Sequence, residues 1–219
     1  MEKRFDLIGI GECLIELYEE SQHNYRQSVA GDVFNTLFYA SRLGLKTGFI
    51  TNFGADDLTK NILEVMDKES IDRSCITRSQ NKTNGLYLIS TQKGEPKYSF
   101  WRIDSAARET LAELDEKKLE DYILSAKYFH FSAIALWVLR QNEKLISLLE
   151  KIHGQTIITF DTNFRHGLWE DISILKKFIG DSSSFIDIIF VSRSDDEQIF
   201  GKRTTELSES SKWICGVFG

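Results

Sequence analysis

The chain is nearly without proline, poor in cysteine and lacking any long apolar run. Pro96 is the one proline among 219 residues, and no function attaches to that scarcity. The three cysteines, Cys13, Cys75 and Cys215, are odd in number and far apart. That excludes a disulfide framework and any cysteine-based metal spacing, and it fits a reducing, cytoplasmic location. The longest apolar stretch, Ala133 to Leu139, is far too short to cross a bilayer, so no membrane partner is expected. The opening residues Met1 to Asp6 lack the apolar segment of a signal peptide. Positive charge is in deficit: 27 Lys and Arg against 33 Asp and Glu give a net charge of −6. This argues against nucleic acid as a partner, and any anionic ligand must be met by a local basic site. There is no Gly-x-x-x-x-Gly-Lys-Ser/Thr phosphate loop and no Gly-x-Gly-x-x-Gly fingerprint. Gly-x-Ser-x-Gly and His-Glu-x-x-His are missing too, and there are no repeats or low-complexity tracts.

What is present is a globular composition, 42% hydrophobic and 27% charged. The length suffices for one core plus a small accessory part. The pattern alternates strand and helix. Strands are expected at Phe5–Gly11, Thr47–Thr51, Tyr128–Ile134, Thr156–Asp161 and Ile186–Val191. Helices are expected at Val33–Leu43, Asp57–Lys68, Leu114–Ser125, Asn142–His153 and Trp169–Ile179. Such alternation predicts an α/β fold with a mostly parallel sheet and helices on both faces. Two stretches, Cys13–Val29 and Gly85–Arg102, instead hold short alternating strands. In the second, Leu86–Ser90 and Tyr98–Arg102 flank a Gln92-Lys-Gly-Glu-Pro96 turn, a hairpin signal. They predict a small antiparallel sheet standing off the main one, used as a lid or as a dimer interface.

Ligands of open α/β sheets sit beyond the carboxyl ends of the strands, so polar residues just after a strand carry most information. Asp161-Thr-Asn163-Phe-Arg165 follows one strand directly. These side chains could orient a polyol, a carboxylate or a phosphate, with Arg165 suited to bidentate anion recognition. The plainer reading is a solvated loop in which Asp161 caps a turn. In Gly31-Asp32-Val-Phe-Asn35, Gly31 permits close backbone approach, Asp32 is a candidate helix N-cap, and Asn35 sits one turn in. Tyr98, Phe100 and Arg102 share one strand face: rings for sugar carbons, a guanidinium for a carboxylate, or simply a hairpin with one wet face. His130 and Ser132 share a strand face without triad geometry, and His130 reads as a packed strand residue. Gly9-Ile-Gly-Glu12 reads as a strand end and turn.

Taken in order, these segments resemble the ribokinase-like (PfkB) carbohydrate kinases, most closely the 2-keto-3-deoxygluconate kinase branch. The matching residues are Gly9-Ile-Gly-Glu-Cys-Leu-Ile-Glu16, Gly31-Asp-Val-Phe-Asn-Thr36, Ser41-Arg-Leu-Gly44 and Phe53-Gly54. Tyr98-Ser-Phe-Trp-Arg102, Ser105-Ala-Ala107, His130-Phe-Ser132, Asp161-Thr-Asn-Phe-Arg165 with Leu168-Trp169, and Ser194-Asp-Asp-Glu197 to Phe200-Gly201 follow. The resemblance spans nearly the whole chain and rests on the order and spacing of these segments.

The resemblance implies one ribokinase-like three-layer domain over residues 1–219, with lid strands from about 12–30 and 84–103; the unpaired edges and apolar surface of those short strands predict a homodimer or higher assembly through the lid. It implies transfer of the ATP γ-phosphoryl, with Mg²⁺, to a primary hydroxyl of a sugar acid. The alternatives are a fructokinase or another PfkB sugar kinase, and a non-catalytic sugar-acid-binding or dimerising remnant. By resemblance, Gly31, Asp32 and Asn35 contact the sugar acid, and Tyr87, Phe100 and Arg102 cover it. Arg165 bridges sugar and phosphoryl, and Asp161 and Asn163 face nucleotide phosphates and Mg²⁺. Ser192 and Asp195 stand at the family's Asn-x-x-Glu positions, Ser192 replacing the Asn and Asp195 the Glu. Ala30 stands where a glycine is usual, and Phe100 where a tyrosine often stands. The family's Gly-Ala-Gly-Asp segment, with its base aspartate and anion-cradling turn, has no counterpart before Gly219. A C-terminally incomplete sheet and little or no catalysis by the 219 residues alone are therefore expected.

Overall fold

The computed structural model describes residues 3–21, 23–92 and 95–201. The expectations about the extreme N-terminus, the Lys93-Gly94 turn centre and Cys215 lie outside the described residues. In chain order the elements are β1 (Phe5–Ile10), β2 (Leu14–Ser21), β3 (Asn24–Ala30), α1 (Asp32–Arg42), β4 (Thr47–Phe53), α2 (Leu58–Lys68), β5 (Ile76–Arg78), β6 (Leu86–Gln92) and β7 (Glu95–Trp101). Then come α3 (Thr110–Glu113), α4 (Glu116–Leu124), β8 (Ala126–Ser132), α5 (Ala133–Leu139), α6 (Asn142–Ile152), β9 (Ile157–Asp161), α7 (Ile172–Ser182), β10 (Ile188–Phe190) and α8 (Arg193–Phe200).

Six strands form one sheet in the order β10-β9-β8-β1-β4-β5, every neighbouring pair parallel. All seven residues of β4 are buried, as in a strand covered on both faces. α1 packs on β1, β4 and β8, α4 and α5 lie on β8, and α6 touches both α4 and α7. Phenylalanines fill the core. The rings of Phe131 and Phe160 stand 4.9 Å apart, and both meet Phe178; burying each such side chain stabilises by about 1.5–3 kcal/mol. From β1 the chain builds toward β4 and β5, and later toward β8, β9 and β10. The order therefore reverses between β1 and β8, and their carboxyl ends open a crevice.

The second sheet has the order β3-β2-β6-β7. It corrects the expectation of an antiparallel lid. β2/β3 and β6/β7 are antiparallel hairpins, but β2 and β6 pair in parallel, Ile15 opposite Leu86 and Tyr18 opposite Ile89. β2 and β6 each follow a parallel strand of the main sheet, so they leave it in the same sense and meet side by side.

The strand expected over 128–134 begins at Ala126 and stops at Ser132. Ala133–Leu139 is the helix α5, because the Ser132 hydroxyl accepts from the Ala135 N–H at 3.0 Å and caps it. Seven apolar residues in a row fit a strand or a helix equally well. The helix expected from Trp169 starts at Ile172, capped by Asp171, which accepts from the Ser173 N–H at 2.8 Å.

Candidate functional site

A cavity of about 740 Å³ opens at the switch point, under the lid. Gly31, Asp32, Asn35, Tyr87, Phe100, Arg102 and Arg165 all line it, joined by Glu12, Tyr98, Ile134 and Asn163. Its volume lies within the usual range for small-molecule sites, about 300–1,000 Å³.

Gly31 is needed for space. Its φ of −176° suits any residue, but a Cβ there would stand 2.1 Å from the Glu12 carbonyl oxygen. The loop after β1 and the start of α1 are thus pressed together, and Glu12 and Asp32 both reach the cavity.

Asp32 is not the helix N-cap expected of it. Gly31 holds that position, with no side-chain cap, and Asp32 is the first helical residue. Its carboxylate is used across the crevice instead. Oδ2 accepts from the Ser132 hydroxyl and from Asn163 Nδ2 at 3.4 Å, while Oδ1 is buried with no partner among the described residues.

The lid supplies an aromatic wall. Tyr87 and Phe100 stack across β6 and β7 at 5.4 Å, and Tyr98 and Phe100 along β7 at 6.4 Å. The Tyr87 hydroxyl donates to Glu16. Arg102 shares the face of Tyr98 and Phe100, its guanidinium carbon 4.7 Å from the Phe100 centroid. It is 8% exposed and ion-paired with Glu12, itself 1% exposed. Burial pushes the Glu12 carboxyl up to about 7, and Asp32 pushes the same way, while Arg102 and Arg108 pull it down. The ion pair needs the carboxylate form, which burial disfavours and Arg102 favours.

A second cavity of about 470 Å³ adjoins the first and shares Asn163 and Arg165 with it. Thr36, His130, Asp161, Phe190, Ser192 and Asp195 also line it. Asp161 does cap a turn, accepting from the Asn163 N–H at 3.1 Å, and it faces the cavity as well. Burial raises its carboxyl to about 6; Asp32 and Asp195 add to this, and the Asn163 N–H and Arg165 oppose it. Asn163 has φ +24°, which the turn imposes. Ser192 caps α8 by accepting from the Asp195 N–H at 3.0 Å. Asp195 Oδ2 accepts from the Thr162 hydroxyl at 2.8 Å and the Phe164 N–H at 3.2 Å. Ser192 and Asp195 therefore brace the 161–165 turn from below. His130 is a packed strand residue as expected, bonded to the Thr159 hydroxyl at 2.9 Å, and burial lowers its pKa.

Sequence reasoning missed Glu12, which looked like part of a turn. The signal was a carboxylate directly after an apolar strand in Gly9-Ile-Gly-Glu12. It also missed Arg108 and Trp137, which meet only in the fold, the guanidinium carbon 4.2 Å from the ring centroid. Among the described residues, no group of three His, Cys, Asp or Glu side chains is placed to hold a metal ion, and no helix is long and apolar enough to cross a membrane.

Comparison with known proteins agrees with this architecture. The chain is 30% identical over 202 residues to the 2-dehydro-3-deoxygluconokinase of Dickeya dadantii, covering 88% of this chain and 64% of that enzyme. It spans just under two thirds of that relative's length. The crystal structure of a 2-dehydro-3-deoxygluconokinase from Thermotoga maritima superposes with a TM-score of 0.81 at 20% identity, covering 93% of this chain and 64% of that one. An uncharacterized sugar kinase from Pyrococcus horikoshii, solved in complex with ATP, gives a TM-score of 0.76 at 24% identity, with 89% and 65% covered. The family model described as pfkB family carbohydrate kinase runs from residue 5 to residue 216, so the chain belongs to the pfkB carbohydrate kinases.

Proposed function

We propose that this protein is an ATP-dependent sugar-acid kinase, with 2-keto-3-deoxygluconate as its substrate. One observation carries the reading. A buried arginine, Arg102, sits against an aromatic wall in a cavity that connects through Asn163 and Arg165 to a second, more polar one. The first cavity takes the sugar acid. Tyr87, Tyr98 and Phe100 cover its carbons, Arg102 meets its carboxylate, and the free Oδ1 of Asp32 accepts from a hydroxyl. The second takes the phosphate end of ATP. Arg165 stands where the two ligands meet and bears on the transferring phosphoryl. Positioning and electrostatics are the protein's main contributions to such a transfer.

Mg²⁺ commonly binds through one or two carboxylates plus substrate phosphates, and Asp161 fits that part, being desolvated and crowded by two other carboxylates. Bound there, Mg²⁺ would neutralise charge on the phosphates. Asn163 would hold the turn in register, with Ser192 and Asp195 bracing it.

We propose further that residues 1–219 form one domain, lid included, and that the lid pairs two chains. Tyr18, Tyr25, Trp101 and Ile103 leave apolar surface exposed there. A strict monomer at micromolar concentration in analytical ultracentrifugation contradicts the pairing.

The Glu12–Arg102 pair favours a second reading. A guanidinium already balanced by an internal carboxylate suits a neutral hexose. Calorimetric titration with 2-keto-3-deoxygluconate and with fructose separates them. The expected result is an affinity at least about tenfold higher for the acid, the worth of one charge-assisted contact. Tighter binding of fructose establishes the second reading, and no binding of either sugar contradicts the sugar-kinase reading.

A further inference from the structure

Beside the cavity lies a charge cluster that the proposed reaction does not use. Arg102 and Arg108 both bear on Trp137, their guanidinium carbons 5.1 and 4.2 Å from its rings. Arg108 Nε donates to the Arg102 carbonyl at 3.4 Å, but its Nη1 and Nη2 are buried without a partner among the described residues. Glu12 binds Arg102 through Oε1 and leaves Oε2 buried and unpartnered. Unsatisfied buried polar atoms are costly, and each calls for an explanation. Here an acceptor and two donors lack partners within one cluster. Arg108 shares the Trp137 ring with Arg102 and bonds its carbonyl, so it stands beside the Glu12–Arg102 pair.

We propose that Glu12 is a placeholder carboxylate: it holds Arg102 until a ligand carboxylate arrives and then turns to Arg108, so that Glu12 and Arg108 make the cavity prefer a sugar acid to a neutral sugar. The inference rests on the sugar-binding reading above and deepens it. Arg102 touches the ligand; Glu12 and Arg108 act through Arg102 and are positioning residues. In the resting state Glu12 satisfies the Arg102 charge. A neutral sugar does not displace it and gains nothing from the guanidinium. A sugar acid takes over Arg102, and the displaced Glu12 carboxylate finds two free donors on Arg108. Arg102 then faces the ligand carboxylate and Arg108 faces Glu12. Trp137 supports both arginine side chains.

The experiment is calorimetric titration of the purified protein with 2-keto-3-deoxygluconate and with fructose, reading the ratio of the two affinities. Arg108→Gln removes the refuge for Glu12. It should lower acid affinity about tenfold and leave fructose unchanged, while Arg108→Lys, which keeps a charge there, should restore most of the ratio. Glu12→Gln removes the competitor and should raise acid affinity severalfold. Adding Arg108→Gln to Glu12→Gln should then change nothing, because Arg108 acts only through Glu12; this non-additivity marks coupled residues. Equal changes for acid and fructose in the folded variants mean a merely structural role and overturn the proposal, as does an unchanged ratio. If Glu12→Gln fails to fold by circular dichroism, the Arg108→Gln and Arg108→Lys comparison decides alone. A wild-type protein that binds neither sugar overturns the sugar-binding reading and this proposal with it. Wild-type binding with an unaltered ratio in the variants overturns this proposal alone.

Discussion

Glu12 and Arg102, ninety residues apart in the chain, form a buried ion pair that joins the main sheet to the lid. Glu12 lies just beyond β1 and Arg102 just beyond β7. The aromatic wall is therefore fastened to the crevice by a charge contact, not only by packing.

Removing one member of such a pair leaves a buried charge unbalanced, a loss of about 3–5 kcal/mol. Arg102→Gln should cost that much at pH 8 and clearly less at pH 5.5. The Glu12 carboxyl stands at about 7 against an ordinary 4.5, and losing Arg102 moves it higher. Below that value it is protonated and the penalty disappears. In the unmutated protein, a raised folded value means that the stabilisation from Glu12 is full below 4.5 and lost as pH rises through about 7. Denaturant unfolding at the two pH values checks both statements. Equal losses at pH 8 and 5.5 count against a titrating Glu12.

Asp161 is held at the cavity in an unfavourable ionised form. Its carboxyl is raised to about 6 from 3.8, so its stabilising contribution is present below 3.8 and is lost as pH rises through 6. Asp161→Asn keeps an acceptor for the Asn163 N–H and removes the charge. The variant should be more stable by about 1–2 kcal/mol at pH 7.5 and no more stable at pH 3.5, with ATP binding weakened if Mg²⁺ sits there. Thermal melts across pH read the first effect and calorimetry with MgATP the second.

Gly31→Ala tests the close approach of the Glu12 loop to α1. The added methyl meets a backbone carbonyl at 2.1 Å, and backbone yields less readily than a side-chain tip. A loss of about 1–3 kcal/mol is expected, together with weaker sugar binding as Glu12 and Asp32 move apart. A melting temperature equal to that of the parent shows that the loop has slack.

Arg165→Ala tests the junction of the two cavities. Arg165 is exposed, and among the described residues its side chain donates only to the neighbouring Phe164 carbonyl, at 3.4 Å. The fold therefore loses little without this exposed side chain, while a ligand loses a charge-assisted contact of about 1.5–3 kcal/mol. Unchanged calorimetric affinity for both ATP and the sugar acid in the folded variant contradicts the role.

Much of this was legible in the sequence, and the exceptions have physical causes. β1, β4 and β9 are short segments of five to seven residues, and their place in a strand–helix alternation marked them as strands. Asp161 and Arg165 stand at the carboxyl end of β9, so topology alone pointed them to the crevice, while Gly31 and Asn35, after β3 at the start of α1, were singled out by glycine and helix-start chemistry. Alternation along Tyr98, Phe100 and Arg102 gave the lid face. The parallel pairing of β2 with β6 was hidden because alternation reports hairpins and not how two hairpins join. β5 is three residues long, too short for any period. The side-chain partners chosen by Asp32, Glu12 and Arg108 come from distant segments, and nothing local distinguishes a helix-capping aspartate from one that bonds across a crevice.

The most direct measurement is a crystal structure with 2-keto-3-deoxygluconate bound. Its carboxylate should lie within hydrogen-bonding distance of Arg102, about 2.7–3.2 Å. Its carbons should lie on Phe100 and Tyr87, and its primary hydroxyl should face Arg165. A sugar acid bound outside this cavity, or bound inside it with the carboxylate turned away from Arg102, contradicts the assignment.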